Sequence, residues 1–309
     1  MADAVMQRAE DPARRARVAS LAQPPWDWLY YRISVADDLE TNRLLLGLVN
    51  PAIARFRAEV PALRWFFLRF LDQAGLHVRL RLRATLAETG RIQRYLDDRL
   101  SAAQAAVHGG GGEVTCREFH KALYAPETVK YGPGPGIELA ERLFQASSDA
   151  ALALLDAGAC DRKVACTAAH MMLMLAGLPR EERIGFLHQY AWYWSGGPSR
   201  RWEPGALMAA IGGDGRDRAA QLAGAAADLL ADPLAGRLLA RYATAAWREL
   251  RSPERRRVPR SDSFLLFHHI HLMNNRLGVF RPAEAAIARL LWHAELAGRS
   301  PGCTPRSPG

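Results

Sequence analysis

Cysteine, lysine and long apolar runs are all scarce in this chain of 309 residues. The cysteines are Cys116, Cys160, Cys166 and Cys303; they are scattered and form no CxxC pair, which excludes a disulfide framework and a CxxC redox or zinc motif. A reducing cytoplasm is therefore the expected compartment. The longest apolar run, Val164 to Leu178, is too short to span a bilayer and carries His170, so no membrane segment is expected. Arg8, Arg14, Arg15 and Arg17 precede no apolar stretch of the kind a secretory signal needs. The phosphate loop GxxxxGK[ST], a GxGxxG after a strand and the nucleophile motif GxSxG are all missing. HExxH is absent too. No Asp, Glu or Cys stands at ligand spacing from His268, His269 and His271, so a metal site is not expected.

The composition is that of a globular protein, with 49% apolar and 24% charged residues. The formal charge of +9 comes almost wholly from arginine, since Lys121, Lys130 and Lys163 are the only lysines. Such a surface attracts an acidic partner. Nucleic acid is not the expected one, because the basic run Arg251 to Arg260 has no interleaved aromatics and is broken by proline.

The polar stretch 1–25 reads as a flexible arm and 298–309 as a disordered tail, leaving 26–297 as a single domain. Trp26–Val35, Leu63–Leu71, Leu76–Arg83 and Val114–Tyr124 have the aromatic, β-branched or alternating pattern of strands. Helical spacing runs through Leu39–Val60, which Pro51 should kink or split, and through Ile92–Val107. The order β-α-β-β-α-β is ferredoxin-like. From Gly136 onward the spacing is helical almost throughout: Ile137–Ala157, Arg162–Ala176, Glu181–Trp194, Leu207 into Ala231, Pro233–Leu250, Phe264–Leu277 and Pro282–Ala297. The expected fold is α+β, a sheet-bearing N-terminal half with a helical C-terminal half packed on it.

Three stretches could carry chemistry. Arg79, Arg81 and Arg83 alternate with apolar residues, so their guanidiniums leave one sheet face and could grip a carboxylate or phosphate; a merely solvated sheet face would show the same alternation. The Gly/Pro-rich segment Tyr124 to Gly134 would hold Glu127, Lys130 and Tyr131 in fixed places, an acid, an amine and a phenol suited to proton transfer, although any strand-to-helix loop can be polar. On the late helix, His268, His271 and Asn275 share a face at i, i+3, i+7. A histidine there could act as a general acid or base, or be a satisfied core residue.

Taken in order, these stretches resemble a known family. Trp65-Phe66-Phe67-Leu68-Arg69-Phe70 followed by His77-Val78-Arg79-Leu80-Arg81 is similar to the WFFxRY…HxRxR pattern of the glutamate-elimination, C-terminal domain of lantibiotic dehydratases. Tyr124 to Gly132 resembles its YxPExxRYGG, and His271 to Leu277 its HMxxNRL. The resemblance implies that Arg79 and Arg81 bind an anion and that His271 transfers protons. His268, Asn275 and Arg276 join the arginines as candidate substrate contacts, and Tyr131, Lys130 and Glu127 follow His271 as candidate catalytic groups. Lys130 stands where the family pattern has arginine, and Gly132-Pro133 replaces Gly-Gly. An ammonium lacks the planar fork of a guanidinium and is a poor substitute at a carboxylate site. In length the chain is similar to stand-alone members of thiopeptide pathways, which are either split eliminases or pyridine synthases. The resemblance with these departures implies a pyridine synthase that joins two dehydroalanines by a formal [4+2] aza-cycloaddition, releasing water and leader peptide. Its partner would be a dehydrated, azole-containing precursor peptide with an acidic leader; no cofactor is implied, and assembly as a homodimer is left open. Glutamate elimination and a non-catalytic leader-binding scaffold are the alternatives.

Overall fold

A computed structural model describes residues 26–109, 112–196 and 215–298. The arm, the tail and the beginning of the helix expected from Leu207 lie outside these residues. Four strands, β1 (Trp26–Ser34), β2 (Arg64–Asp72), β3 (Gly75–Thr85) and β4 (Glu118–Lys121), form one antiparallel sheet in the order β2-β3-β1-β4. This is the ferredoxin-like arrangement. Register puts Leu29, Tyr31 and Ile33 beside Leu82, Leu80 and Val78, with Trp65 and Phe67 in the same rows. All of them are buried.

Two helical segments pack with that face. The first is α1 (Asp38–Leu44), a π turn (Leu45–Val49) and α2 (Asn50–Glu59). Asp37 caps α1 by accepting from the Glu40 N–H at 2.8 Å. Pro51, expected to kink or split this helix, sits in the first turn of α2; the π turn precedes it, and the Asn50 N–H reaches back to Leu45 O. The second is α3 (Leu86–His108), which begins six residues before the expected Ile92 because Thr85 and Glu88 form a capping box. β4 is shorter than the expected Val114–Tyr124. The Cys116 N–H bonds Ala103 O on α3, and Tyr124 leaves the strand to lie against Trp28.

The rest is helical: α4 (Thr128–Tyr131, a single turn), α5 (Pro135–Asp156), a 3-10 turn (Ala159–Arg162), α6 (Lys163–Leu175), α7 (Arg180–Trp194), α8 (Gly215–Ala231), α9 (Ala235–Leu250), a 3-10 turn (Pro253–Arg257), α10 (Asp262–Arg276) and α11 (Arg281–Leu296). α9 starts after Pro233 because Asp232 Oδ1 accepts from the N–H groups of Leu234 and Ala235 at 2.9 and 3.0 Å. Among the described residues no helix is long and apolar enough to cross a membrane.

The two halves are joined along the outer edge of β2. Its outward N–H groups are taken by helix side chains: Trp65 donates to Gln145 Oε1 at 3.2 Å, Phe67 to Ser148 Oγ at 3.2 Å and Arg69 to Asn275 Oδ1 at 3.0 Å. Asn275 Nδ2 also donates to Arg69 O at 2.7 Å, so this amide pairs with the strand as a neighbouring strand would. The fully buried Arg69 side chain extends the seam. It pairs with Asp38, donates to Asn42 Oδ1 at 2.6 Å and donates to Arg276 O at 2.9 Å. The chain clears this group at Gly278, whose φ is +80° and where a Cβ would come within 3.0 Å of Asp38.

Removing the Asn275 amide leaves two backbone groups of a sheet edge without partners. Asn275→Ala should cost about 1–3 kcal/mol for each group left buried and unpaired. Asn275→Asp, which keeps only the acceptor, should fall between the variant and wild type. Urea unfolding midpoints measure both; equal midpoints for all three proteins would show that the edge is not held this way.

Candidate active site

The opposite face of the sheet carries the three arginines among aromatic rings rather than in open water. Arg81 is 9% exposed. Its Cζ lies 4.4 Å from the Tyr30 ring, 5.1 Å from Tyr124 and 5.3 Å from Phe66, a cage that stabilises a cation by its ring quadrupoles. Among the described residues no carboxylate pairs with Arg81, and its buried Nε has no hydrogen-bond partner. Burial lowers its pKa, so the charge is held in a costly place. Its neighbours are engaged. Arg79 stacks on Phe70 at 3.3 Å and donates through Nε to His77 Nε2 at 3.1 Å. Arg83 faces Glu141 at 3.8 Å, and Glu141 also accepts from the Tyr124 hydroxyl at 3.2 Å.

The loop after β4 brings the acid and the amine next to this face. Lys130 Nζ is 3.3 Å from Glu127 Oε2, and the Glu127 carboxylate acts electrostatically on both Arg79 and Arg81. Two devices fix the loop. Arg260 donates through Nε to Lys130 O at 2.7 Å and through Nη2 to Val129 O at 2.5 Å. Gly136 passes so close to Tyr131 that a Cβ would lie 2.1 Å from its carbonyl oxygen.

His268 and His271 stand one turn apart on α10. His268 lies against Phe264 at 4.4 Å and Tyr131 at 6.3 Å between ring centroids. Burial, then the nearby Lys130 and His271, push its pKa down to about 3, which keeps its ring neutral at physiological pH. His271, 15% exposed, stacks on Trp194 at 3.9 Å and bonds through Nδ1 to Glu284 Oε1 at 2.7 Å. Glu284 is fully buried, and its Oε2 accepts from the Tyr190 hydroxyl at 2.8 Å and from Asn274 Nδ2 at 3.3 Å. The carboxylate accepts from the His271 Nδ1–H, which leaves Nε2, on the other side of the ring, free to accept a proton. The network ends at His170, which donates through Nδ1 to Asn274 Oδ1 at 3.3 Å.

Arg79, Arg81, Glu127, Lys130, His268 and His271 thus form one electrostatically linked series from sheet to helix, with His271 reached through Lys130 and His268 rather than by direct contact with the arginines. Two expected residues serve the scaffold, and a third is buried between Lys130 and His268. Asn275, expected at the substrate, has its amide committed to the β2 edge. Arg276, expected there too, is fully buried and donates to Ser148 Oγ at 2.9 Å and Leu272 O at 3.0 Å. Tyr131, expected to transfer protons, is fully buried against Phe144 and His269, and burial raises its pKa. The expectation for Asn275 rests on helical spacing, that for Tyr131 on loop position and that for Arg276 on the family resemblance, and none of these distinguishes a side chain facing a cavity from one facing the neighbouring element.

Glu284, Trp194, Tyr124 and Arg260 were not singled out from the sequence. Glu284 had a signal. It shares a helical stripe with the buried Ile287, Ala288 and Leu291, where a carboxylate requires a partner. Among the described residues no three His, Cys, Asp or Glu side chains are grouped as a metal site.

The family model described as lantibiotic biosynthesis dehydratase, C-terminal, matches residues 28–295. Solved structures with the same fold include the tRNA-dependent lantibiotic dehydratase MibB from Microbispora sp. 107891. It has a TM-score of 0.60 and 23% identity over 88% of this chain. The chain spans only 28% of the length of MibB. TsrL aligns at TM-score 0.59 and 14% identity, covering 89% of this chain and 95% of its own. TbtD, a pyridine synthase from thiomuracin biosynthesis, aligns at 0.57 and 17%, covering 88% and 99%. No curated protein matches the chain by sequence.

The buried imidazoles make acid stability a measurable consequence. His170, His268 and His269 are pushed down to about 4, 3 and 3 by burial, from an ordinary 6.5. Between pH 6.5 and about 4 the unfolded chain therefore binds protons that the folded chain does not, and stability falls as pH falls through that window. The fully buried His170 and His269 each contribute a slope of about 1.4 kcal/mol per pH unit, and the half-buried His268 contributes less. The thermal midpoint should drop clearly from pH 7 to pH 5, and His269→Phe should shallow the slope; a flat profile would contradict the burial of these rings.

Proposed function

Because the chain belongs to the lantibiotic dehydratase C-terminal family, we propose that it acts on a dehydrated, azole-bearing precursor peptide and closes its macrocycle by forming a pyridine. One dehydroalanine reacts as its imidic-acid azadiene tautomer and the other as the two-carbon partner. Two carbon–carbon bonds form. The ring hydroxyl then leaves with a proton as water, and the leader peptide leaves with a proton as its amide, giving the aromatic ring.

The observation that carries this reading is at Lys130. An ammonium ion-paired with Glu127 at 3.3 Å occupies the place where the family pattern has a guanidinium. The paired-fork grip on a free carboxylate is thereby halved, while an acid and an amine stand ready for the two proton-coupled departures. Arg81 in its ring cage donates to the amide oxygen that becomes the imidic hydroxyl. His271, oriented by Glu284, takes and returns the proton. Holding the two alkenes as a near-attack pair is worth about 7–11 kcal/mol at its upper range and is the main service required. The likeness of the fold to TbtD supports the reading. The second reading, elimination of glutamate from glutamylated Ser or Thr, is favoured by the unpartnered Arg81 guanidinium, which would suit a glutamyl carboxylate.

Incubating the purified protein with a synthetic linear, dehydrated, azole-bearing peptide should yield a macrocycle and free leader by mass spectrometry. Recovery of unchanged linear peptide would sink this reading, and loss of glutamate from a glutamylated peptide would install the second. His271→Ala should lower kcat by about 10²–10⁴. Glu284→Gln should also lower kcat while leaving KM near its original value.

A further inference from the structure

Away from the arginine face of the sheet, α9 carries a row of cations with nothing opposite them. Arg237, Arg241, Arg248 and Arg251 follow one another at i, i+4, i+11 and i+14, with Thr244 completing the stripe at i+7, and all are exposed. Among the described residues none of the four guanidiniums meets a carboxylate. The acids at the two ends of the helix are already engaged, Asp232 with Arg162 at 3.1 Å and Glu249 with Arg142 at 2.8 Å. The stripe runs about 21 Å at the helical rise of 1.5 Å per residue. Along it lies a groove of about 520 Å³ between α9 and the end of α6, with Leu173, Ala176, Ala240 and Trp247 in its walls.

We propose that this groove and stripe form a docking site for an acidic amphipathic helix of another peptide or protein. Apolar residues of such a helix enter the groove at i, i+3 and i+4 while its carboxylates meet the arginines. A helix suits this edge, since Arg237, Arg241, Arg248 and Arg251 lie four, seven and three residues apart along one straight face beside the groove, and an amphipathic helix presents carboxylates and apolar residues on adjacent faces at matching intervals. Trp247 argues against nucleic acid. One side of its ring packs where a Cβ on Gly177 would come within 2.7 Å, and Arg251 lies 4.9 Å over the ring centroid, so the indole offers no open face for a base.

The test is fluorescence anisotropy on the full chain. The probe is a fluorescein-labelled helical peptide of about eighteen residues, with glutamates along one face and leucines on the adjacent face. It should bind, and binding should weaken as salt rises. A scrambled peptide of equal composition, the Arg241→Glu/Arg248→Glu variant and the groove-filling Ala176→Trp variant should each weaken binding tenfold or more. Circular dichroism should show both variants folded. Equal binding of the scrambled peptide would overturn the proposal without any variant. So would unchanged affinity in the charge-reversed protein, or a DNA duplex that binds as tightly through the same arginines.

Discussion

The fold depends on a strand edge that is completed by side chains. β2 has β3 on one side and helices on the other, and the amides of Gln145 and Asn275 with the Ser148 hydroxyl take the place of a further strand. The Arg69 guanidinium then ties that edge to α1 through Asp38 and to the end of α10 through Arg276 O. Lys163 reinforces the point by pairing with the same Asp38 at 2.9 Å. A buried ion pair contributes little net energy in itself, but breaking one side leaves a charge stranded in the core. The seam therefore fixes where α10 lies relative to the sheet, and hence where His268 and His271 stand relative to Arg81.

The candidate site uses two different ways of keeping a polar group ready in a poorly hydrated place. Arg81 is held by ring faces that stabilise its charge without donating or accepting hydrogen bonds, so its own donors stay available. His271 is held by a carboxylate that is itself fully occupied, with Tyr190 and Asn274 on one oxygen and the imidazole on the other. The Tyr190 hydroxyl is kept protonated by burial first and by Glu284 second, which makes it a dependable donor. Cation and imidazole are linked through Glu127, Lys130 and His268, the part of the site that rests on a single helical turn clamped by Arg260.

Much of this was legible in the sequence. Alternation in Leu76 to Arg83 fixes which residues share a face, and the β-α-β-β-α-β order fixes the sheet, because both follow from local periodicity. The same periodicity cannot say what covers a face, so the arginine row read as open while the structure cages it. Asn275 and Arg276 stand in a stretch that resembles a family motif, yet their side chains serve the scaffold. A motif can mark packing as readily as chemistry. The signal left unused was the misplaced charge. Arg69 shares a strand face with Trp65 and Phe67, and Glu284 an apolar helix stripe, and each proves to be the centre of a buried network.

The closure of β2 by distant side chains also bears on how the chain is made. Arg69 waits for Asn275, 206 residues further along, before its backbone is paired on the outer side. During translation α5 can close the Trp65 and Phe67 positions of this border early, but its Arg69 end stays raw until α10 leaves the ribosome. During that interval the nascent chain is exposed to strand-to-strand capture by its neighbours. Conditions that slow elongation through the second half should lengthen that hazard, and a holdase occupying the border should shorten it.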